Sequence, residues 1–129
     1  MNADERRLEI NATCEKVIGC AYTVANILGN GFVEKVYENA LCLELAQAGM
    51  KIEQQKTIQV KYKNVIVGDY VADILVNNSV IIELKAQNNL DEAYQAQCIN
   101  YLKATQLNVC LLLNFGKPRI EVKRIVFNF

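Results

Sequence analysis

Two short apolar runs in the middle of the chain carry the charged residues whose types and spacing could do chemistry. Val71-Ala72-Asp73-Ile74-Leu75-Val76 holds one carboxylate, and Val80-Ile81-Ile82-Glu83-Leu84-Lys85 holds a carboxylate and an amine two residues apart. Side chains alternate along a strand, so Glu83 and Lys85 share a face. Two acids that can hold a hard cation, beside a lysine, are what a Mg²⁺-dependent phosphodiesterase site needs. Charges inside apolar, β-branched runs are costly to bury unless paired or metal-bound. Three of them on one patch of sheet ask for a reason.

Register decides whether the acids meet. With a two-residue loop, Asn77-Asn78, Asp73 faces Ile82 and Glu83 points to the other side of the sheet. With a three-residue loop, Asn77-Asn78-Ser79, Val76 faces Val80 and Asp73 lies across from Glu83, with Cβ atoms about 4.5–5.5 Å apart. Asn78 or Ser79 can supply the left-handed position such a loop needs. A one-residue slip separates the acids. Two carboxylates this close repel, so one is protonated, paired or metal-bound, and Mg²⁺ suits a site with one or two carboxylates and several waters. The plainer alternative makes Glu83 and Lys85 a solvated sheet edge, with Asp73 paired to Lys85.

Helices offer further polar groups. Gln97 and Tyr101, at i and i+4, share a face with Tyr94 one turn earlier, a stripe that could touch a phosphate or orient Lys85. It could equally be an ordinary helix surface. Glu34, three residues before Tyr37 and followed by Glu38, could be only a first-turn acid favoured by the helix dipole.

Composition narrows the chemistry. The 129 residues suit one domain spanning 1–129, and at 52% hydrophobic they can bury a core. Lys+Arg and Asp+Glu are both 14, so nucleic-acid binding must come from a local patch rather than bulk charge. There is no histidine, which excludes His-ligated zinc, Ser-His-Asp triads and Cys-His pairs. The five cysteines form no CxxC pair and read as reduced core residues; their spacing does not support an iron–sulfur cluster. The N-terminus lacks an apolar run after a basic start, and no run is long enough to span a membrane. A cytoplasmic protein is expected.

The elements that must position the cluster follow from periodicity. Three-four spacing predicts a helix over about 4–28, ended by Gly29-Asn30-Gly31, and a second over about 33–48, ended by Gly49. Alternation predicts a strand over 57–62, a turn at Lys63-Asn64, and a return strand from Val65, with Gly68 marking a bulge or bend before the 71–76 run. Runs 71–76 and 80–85 are nearly continuously apolar, so both sheet faces should be covered. A helix starting in Asn88-Asn89-Leu90-Asp91-Glu92, with an Asn N-cap and acids in its first turn, and running to about 105, a buried strand over 109–114 and a last strand over 120–127 complete the order ααβββαββ. This is a mixed α/β chain, a central sheet flanked by helices.

Further residues carry a resemblance. Gly31-Phe32-Val33-Glu34-Lys35-Val36-Tyr37 matches the motif of the GxxExxY proteins. So, in order, do Gly68-Asp69-Tyr70-Val71-Ala72-Asp73, Glu83-Leu84-Lys85, Ala96-Gln97, Asn100-Tyr101-Leu102-Lys103-Ala104-Thr105, Leu113-Asn114-Phe115-Gly116 and Lys123-Arg124-Ile125. Nearly the whole chain is covered. The chain thus resembles a family within the PD-(D/E)XK nuclease superfamily, whose αβββαβ core implies a restriction-endonuclease-like fold. The resemblance implies that Asp73 and Glu83 are the metal carboxylates, with the Leu84 carbonyl as a backbone ligand and Glu34 as a supplementary helix acid. It implies that Lys85 orients water or stabilises the phosphorane, and that Gln97 and Tyr101 form the QxxxY element of RecB-type exonucleases. Tyr94 departs from the family, where histidine is expected in many relatives. The expected function is a nuclease using Mg²⁺ or Mn²⁺ on nucleic acid, DNA being favoured. The alternative is a weak or inactive module of the same fold that binds nucleic acid or a protein. The neutral charge leaves room for a partner or a homodimer.

Overall fold

A computed structural model describes residues 1–129. Helix α1 (Ala3–Leu28) and helix α2 (Glu34–Gln47) are followed by strands β1 (Ile52–Tyr62), β2 (Val65–Val76) and β3 (Val80–Lys85). Helix α3 (Glu92–Thr105) then leads to β4 (Val109–Asn114) and β5 (Glu121–Val126). The strands lie in one sheet in chain order. All neighbours are antiparallel except β3 and β4, which run parallel and are joined through α3. The element order ααβββαββ matches the expectation from periodicity, and no helix is long and apolar enough to cross a membrane.

Side-chain parity sorts the sheet into two faces. Ile82 and Leu84 of β3 and Leu111 and Leu113 of β4 pack with Val17 and Ala21 of α1 and Leu41 and Leu45 of α2. Ile81, Cys110 and Leu112 pack on the other face with Cys98, Tyr101 and Leu102 of α3. Both faces of β3 and β4 are therefore covered, which is why these strands read as unbroken apolar runs. Glu83 and Lys85 have the parity of Ile81, so they stand in the row under α3.

Details at four places differ from expectation. Strand β1 begins at Ile52 rather than Thr57, because Glu53, Gln54 and Lys56 pair with Leu75, Ile74 and Ala72 of β2; backbone pairing recruits a polar segment that has no apolar alternation. The bulge foreseen near Gly68 is present, but Val67 is the extra residue, since Val60 faces Gly68 and Lys61 faces Ile66. The N-cap of α3 is Asp91, not an asparagine, and its Oδ1 accepts from the Ala93 N–H at 2.9 Å. Strand β5 is shorter than expected, ending at Val126.

Two polar locks fix the ends of the elements that reach the carboxylates. The Tyr37 hydroxyl, on a fully buried side chain, donates to the Gly29 carbonyl at 2.6 Å and accepts from the Phe32 N–H at 3.2 Å. Its ring stacks on Phe115 with centroids 4.6 Å apart. Tyr37 thereby ties the α1–α2 loop to the end of β4. The second lock is Asn114, buried at the end of β4. Its Oδ1 accepts from the Gln87 and Gly116 N–H groups, each at 3.0 Å, and its Nδ2 donates to the Gln87 carbonyl at 2.9 Å and to Glu121 at 3.0 Å. The Phe115 N–H donates to the Lys85 carbonyl at 2.8 Å. A Cβ on Gly116 would lie 2.2 Å from the Gln87 nitrogen, so only glycine allows this approach.

Replacing Asn114 by alanine takes the side-chain acceptor from the half-buried Gln87 and Gly116 N–H bonds, each worth about 1–3 kcal/mol when left unpaired away from water. Urea unfolding of Asn114→Ala should show a loss of about 2–4 kcal/mol on that account. A loss under about 1 kcal/mol would show that the lock does not hold the β3 exit.

Candidate active site

The turn between β2 and β3 settles the register. Asn77 and Asn78 both have positive φ, 52° and 55°, and the Ser79 N–H donates to the Val76 carbonyl at 3.0 Å. Ser79 is left outside the ladder, and Val76 pairs with Val80, Leu75 with Ile81 and Ile74 with Ile82. This is the three-residue spacing, and counting one step further sets Asp73 across from Glu83.

At that step the ladder stops and the strands fork. Ala72 packs with the α3 face while Ile74 packs with the α1–α2 face, although both are even positions of one strand. Strand β2 therefore switches faces around Asp73. On the neighbouring strand Gln55, between the pairs Gln54–Ile74 and Lys56–Ala72, has a φ of 56°. The two carboxylates fill the fork by taking over the ladder's hydrogen bonds. Asp73 Oδ2 accepts from the Leu84 N–H at 2.8 Å, and Glu83 Oε1 accepts from the Asp73 N–H at 3.1 Å. Leu84 touches Asp73 through its N–H.

Glu83 is 4% exposed. Burial first, and the neighbouring Asp73 carboxylate second, push its pKa up to about 9. Burial likewise raises the Tyr101 hydroxyl, with Glu83 and Asp73 adding to it, so Tyr101 stays a proton donor. That hydroxyl lies 3.5 Å from the Val71 carbonyl at the fork. Lys85 is half-buried and makes no ion pair with either acid, which removes the plain alternative of an Asp73–Lys85 pair. Its ammonium sits over the Tyr94 ring, 4.2 Å from the centroid, a favourable seat for a cation. The Tyr94 hydroxyl donates to Gln87 Oε1 at 2.9 Å. Tyr94 thus holds the lysine in place.

The helix acids divide differently from expectation. Glu34 is half-buried in the first turn of α2 and makes no hydrogen bond or ion pair. It does not join Asp73 and Glu83, for no group of three His, Cys, Asp or Glu side chains lies together as a metal cage. The engaged acid is Glu38, 3% exposed, which pairs with Lys35 at 2.8 Å and accepts from Gln54 and Gln55. Burial works to raise the Glu38 carboxyl, but the bonds from Lys35, Gln54 and Gln55 outweigh it and hold it below the usual carboxylate range. The Lys35 amine is raised by its bond to Glu38, with Asp73 adding to the effect. A line of polar contacts thus runs from α2 through Gln55 to the strand position beside Asp73. Sequence reasoning missed this line; the available signal was the pair of adjacent glutamines, Gln54-Gln55, at the start of a strand. Gln97 is half-buried on α3 and shares a groove with Tyr101.

These donors suit a hard divalent cation. Each fork carboxylate spends one oxygen on a backbone N–H, and the two carboxyls lie close enough for Asp73 to push the Glu83 carboxyl up. A close carboxyl pair matches a cation that takes one or two carboxylates and keeps its waters.

A family model described as the PD-(D/E)XK nuclease superfamily matches residues 11–125. Among solved structures, an alkaline exonuclease from Laribacter hongkongensis is similar, with a TM-score of 0.54 at 15% identity over 73% of this chain and 56% of that one. The protein SSO0001 is similar with a TM-score of 0.56 at 17% identity over 96% of this chain and 63% of that one. The chain therefore spans less than two thirds of either protein. No curated protein matches it.

The two buried acids give opposite pH dependences in separate windows. Glu83 is raised on folding, so its contribution is full below its unfolded pKa of about 4.5 and is lost as pH rises toward 9. Glu38 is lowered, so its contribution is present above about 4.5 and is lost at more acid pH. Denaturant unfolding in chelator should show stability falling from pH 5 to 9, and Glu83→Gln should flatten that limb. An unchanged slope in Glu83→Gln would assign the dependence to other groups.

Proposed function

Because the chain belongs to the PD-(D/E)XK nuclease superfamily, we propose that it is a metal-dependent phosphodiesterase acting on nucleic acid, with DNA the favoured substrate. The observation that carries this reading is the fork itself, where Asp73 and Glu83 replace the strand ladder and are pressed together as a carboxyl pair. Asp73 and Glu83 are the proposed metal ligands, with the Leu84 carbonyl beside them; Glu34 stays apart from the pair on the first turn of α2. Mg²⁺ or Mn²⁺ bound there would activate water and neutralise charge developing on the scissile phosphate.

The chain's own residues supply the rest. Lys85, held over Tyr94 and unpaired with the acids, can give its ammonium to the phosphoryl oxygens as their charge grows. Tyr101, kept protonated, can donate to a phosphate at the mouth of the fork, with Gln97 one turn away on the same helix face. The Glu38–Lys35–Gln55 line steadies the β1 segment beside Asp73. Its five thiols are free, in keeping with a cytoplasmic setting.

Divalent ion should stabilise the fold by binding the folded fork in place of the Glu83 proton. With a Kd of about 1 mM, 10 mM ion adds roughly 1.4 kcal/mol by mass action, a melting shift of about 3–6 °C. Asp73→Asn should remove most of that shift; an equal shift in both proteins would place the ion elsewhere.

Cleavage tests the reading directly. Labelled single-stranded, duplex and branched substrates should be cut with Mg²⁺ or Mn²⁺, and Lys85→Ala should cut about 10²-fold more slowly while keeping the thermal shift. Tight binding without cleavage of any substrate would leave a binding module of nuclease fold.

A further inference from the structure

The β1–β2 hairpin reaches well past the fork, because β3 pairs only with the last three residues of β2. Its tip turns through Lys63 and Asn64, both with positive φ. Between this hairpin and α3 runs a groove of about 980 Å³. Tyr70 and Lys61 line one wall, and Gln97, Asn100, Tyr101 and Lys103 line the other. No Asp or Glu lines it, although acids equal bases in the chain as a whole. Neither Lys61 nor Lys103 is held in an ion pair, so both charges are free for a ligand.

The groove ends at the fork. Tyr101 is common to both, since its hydroxyl meets the Val71 carbonyl two residues before Asp73. At the lip, the Tyr70 ring is 51% exposed and stands 5.9 Å from the Tyr101 ring, tilted by 58°. A half-exposed ring beside unpaired cations and carboxamides is the combination that binds single strands, through stacked bases and followed phosphates. Carboxamides both donate and accept, so they can meet base edges that a duplex keeps paired.

We propose that this groove holds a single-stranded polynucleotide, one base stacked on Tyr70 and phosphates on Lys61 and Lys103, and feeds it to the Asp73–Glu83 fork. The proposal rests on the nuclease reading for what happens at the fork, but not for the binding. It makes a single strand, or a strand freed from a duplex end, the substrate.

The test is fluorescence-anisotropy binding in EDTA, where cleavage is silent. The probes are fluorescein-labelled oligodeoxythymidylate, oligouridylate of equal length and a blunt duplex. Either single strand should bind about ten-fold or more tightly than the duplex, and Tyr70→Ala should weaken it about five-fold or more, as loss of one stacked base does. Lys61→Glu with Lys103→Glu should weaken binding further and reduce the salt slope by about 1.4, two phosphates' worth for a single strand. Arg7→Glu with Lys16→Glu, an equal charge change on exposed positions of α1, should do neither. Thermal melts of each variant check that the fold is kept. Equal binding of duplex, no effect of Tyr70→Ala, equal weakening by the two charge pairs, or no binding of any probe would overturn the proposal. Groove binding that persists without cleavage in Mg²⁺ or Mn²⁺ would sink the nuclease reading while leaving the groove in place.

Discussion

The site depends on a substitution of hydrogen-bond partners. Where β2 and β3 diverge, Asp73 and Leu84 would each lose a ladder partner for an N–H. The side chains of Glu83 and Asp73 supply those acceptors, at 3.1 and 2.8 Å. This satisfies the buried backbone and at the same time presses two carboxylates together under α3. The cost is visible in Glu83, whose proton is held well past neutral pH by burial and by Asp73. A cation in the fork would relieve that cost, so the feature that opens the sheet is also the one that creates demand for a metal.

The surroundings hold the fork open rather than acting in it. Asn114 and Gly116 clamp Gln87, which fixes the end of β3 and the backbone of Lys85. Gln87 in turn accepts from Tyr94, whose ring seats the Lys85 ammonium. On the other side, Tyr37 fastens the loop before α2, and Glu38 reaches from α2 to Gln54 and Gln55. The motif positions Gly31 and Tyr37 therefore act on loop geometry, with Gly31 at a φ of 116°, while the carboxylate chemistry lies on the strands.

Much of this was legible in the chain itself. Apolar parity along 71–76 and 80–85 gave both strands, and the three-residue turn gave the register that joins Asp73 to Glu83. What stayed hidden depended on tertiary pairing. The polar start of β1 has no periodicity and becomes a strand only because β2 lies beside it. The face switch at Asp73 breaks the alternation on which strand reading rests. Glu38 looked like one more helix acid, because nothing in its own helix announces Gln54 and Gln55. The seat of Lys85 on Tyr94 required knowing where α3 crosses the sheet.

The most direct measurement is calorimetric titration of Mn²⁺ into the protein near pH 7, repeated in buffers of different ionisation enthalpy. Glu83 carries its proton at that pH, and a ligand carboxylate must give its proton up on binding metal. The account predicts release of about one proton per ion bound, no release from Glu83→Gln, and loss of binding in Asp73→Asn. Binding with no proton release in wild type, or binding that survives Asp73→Asn, would contradict the claim that the fork is the metal site.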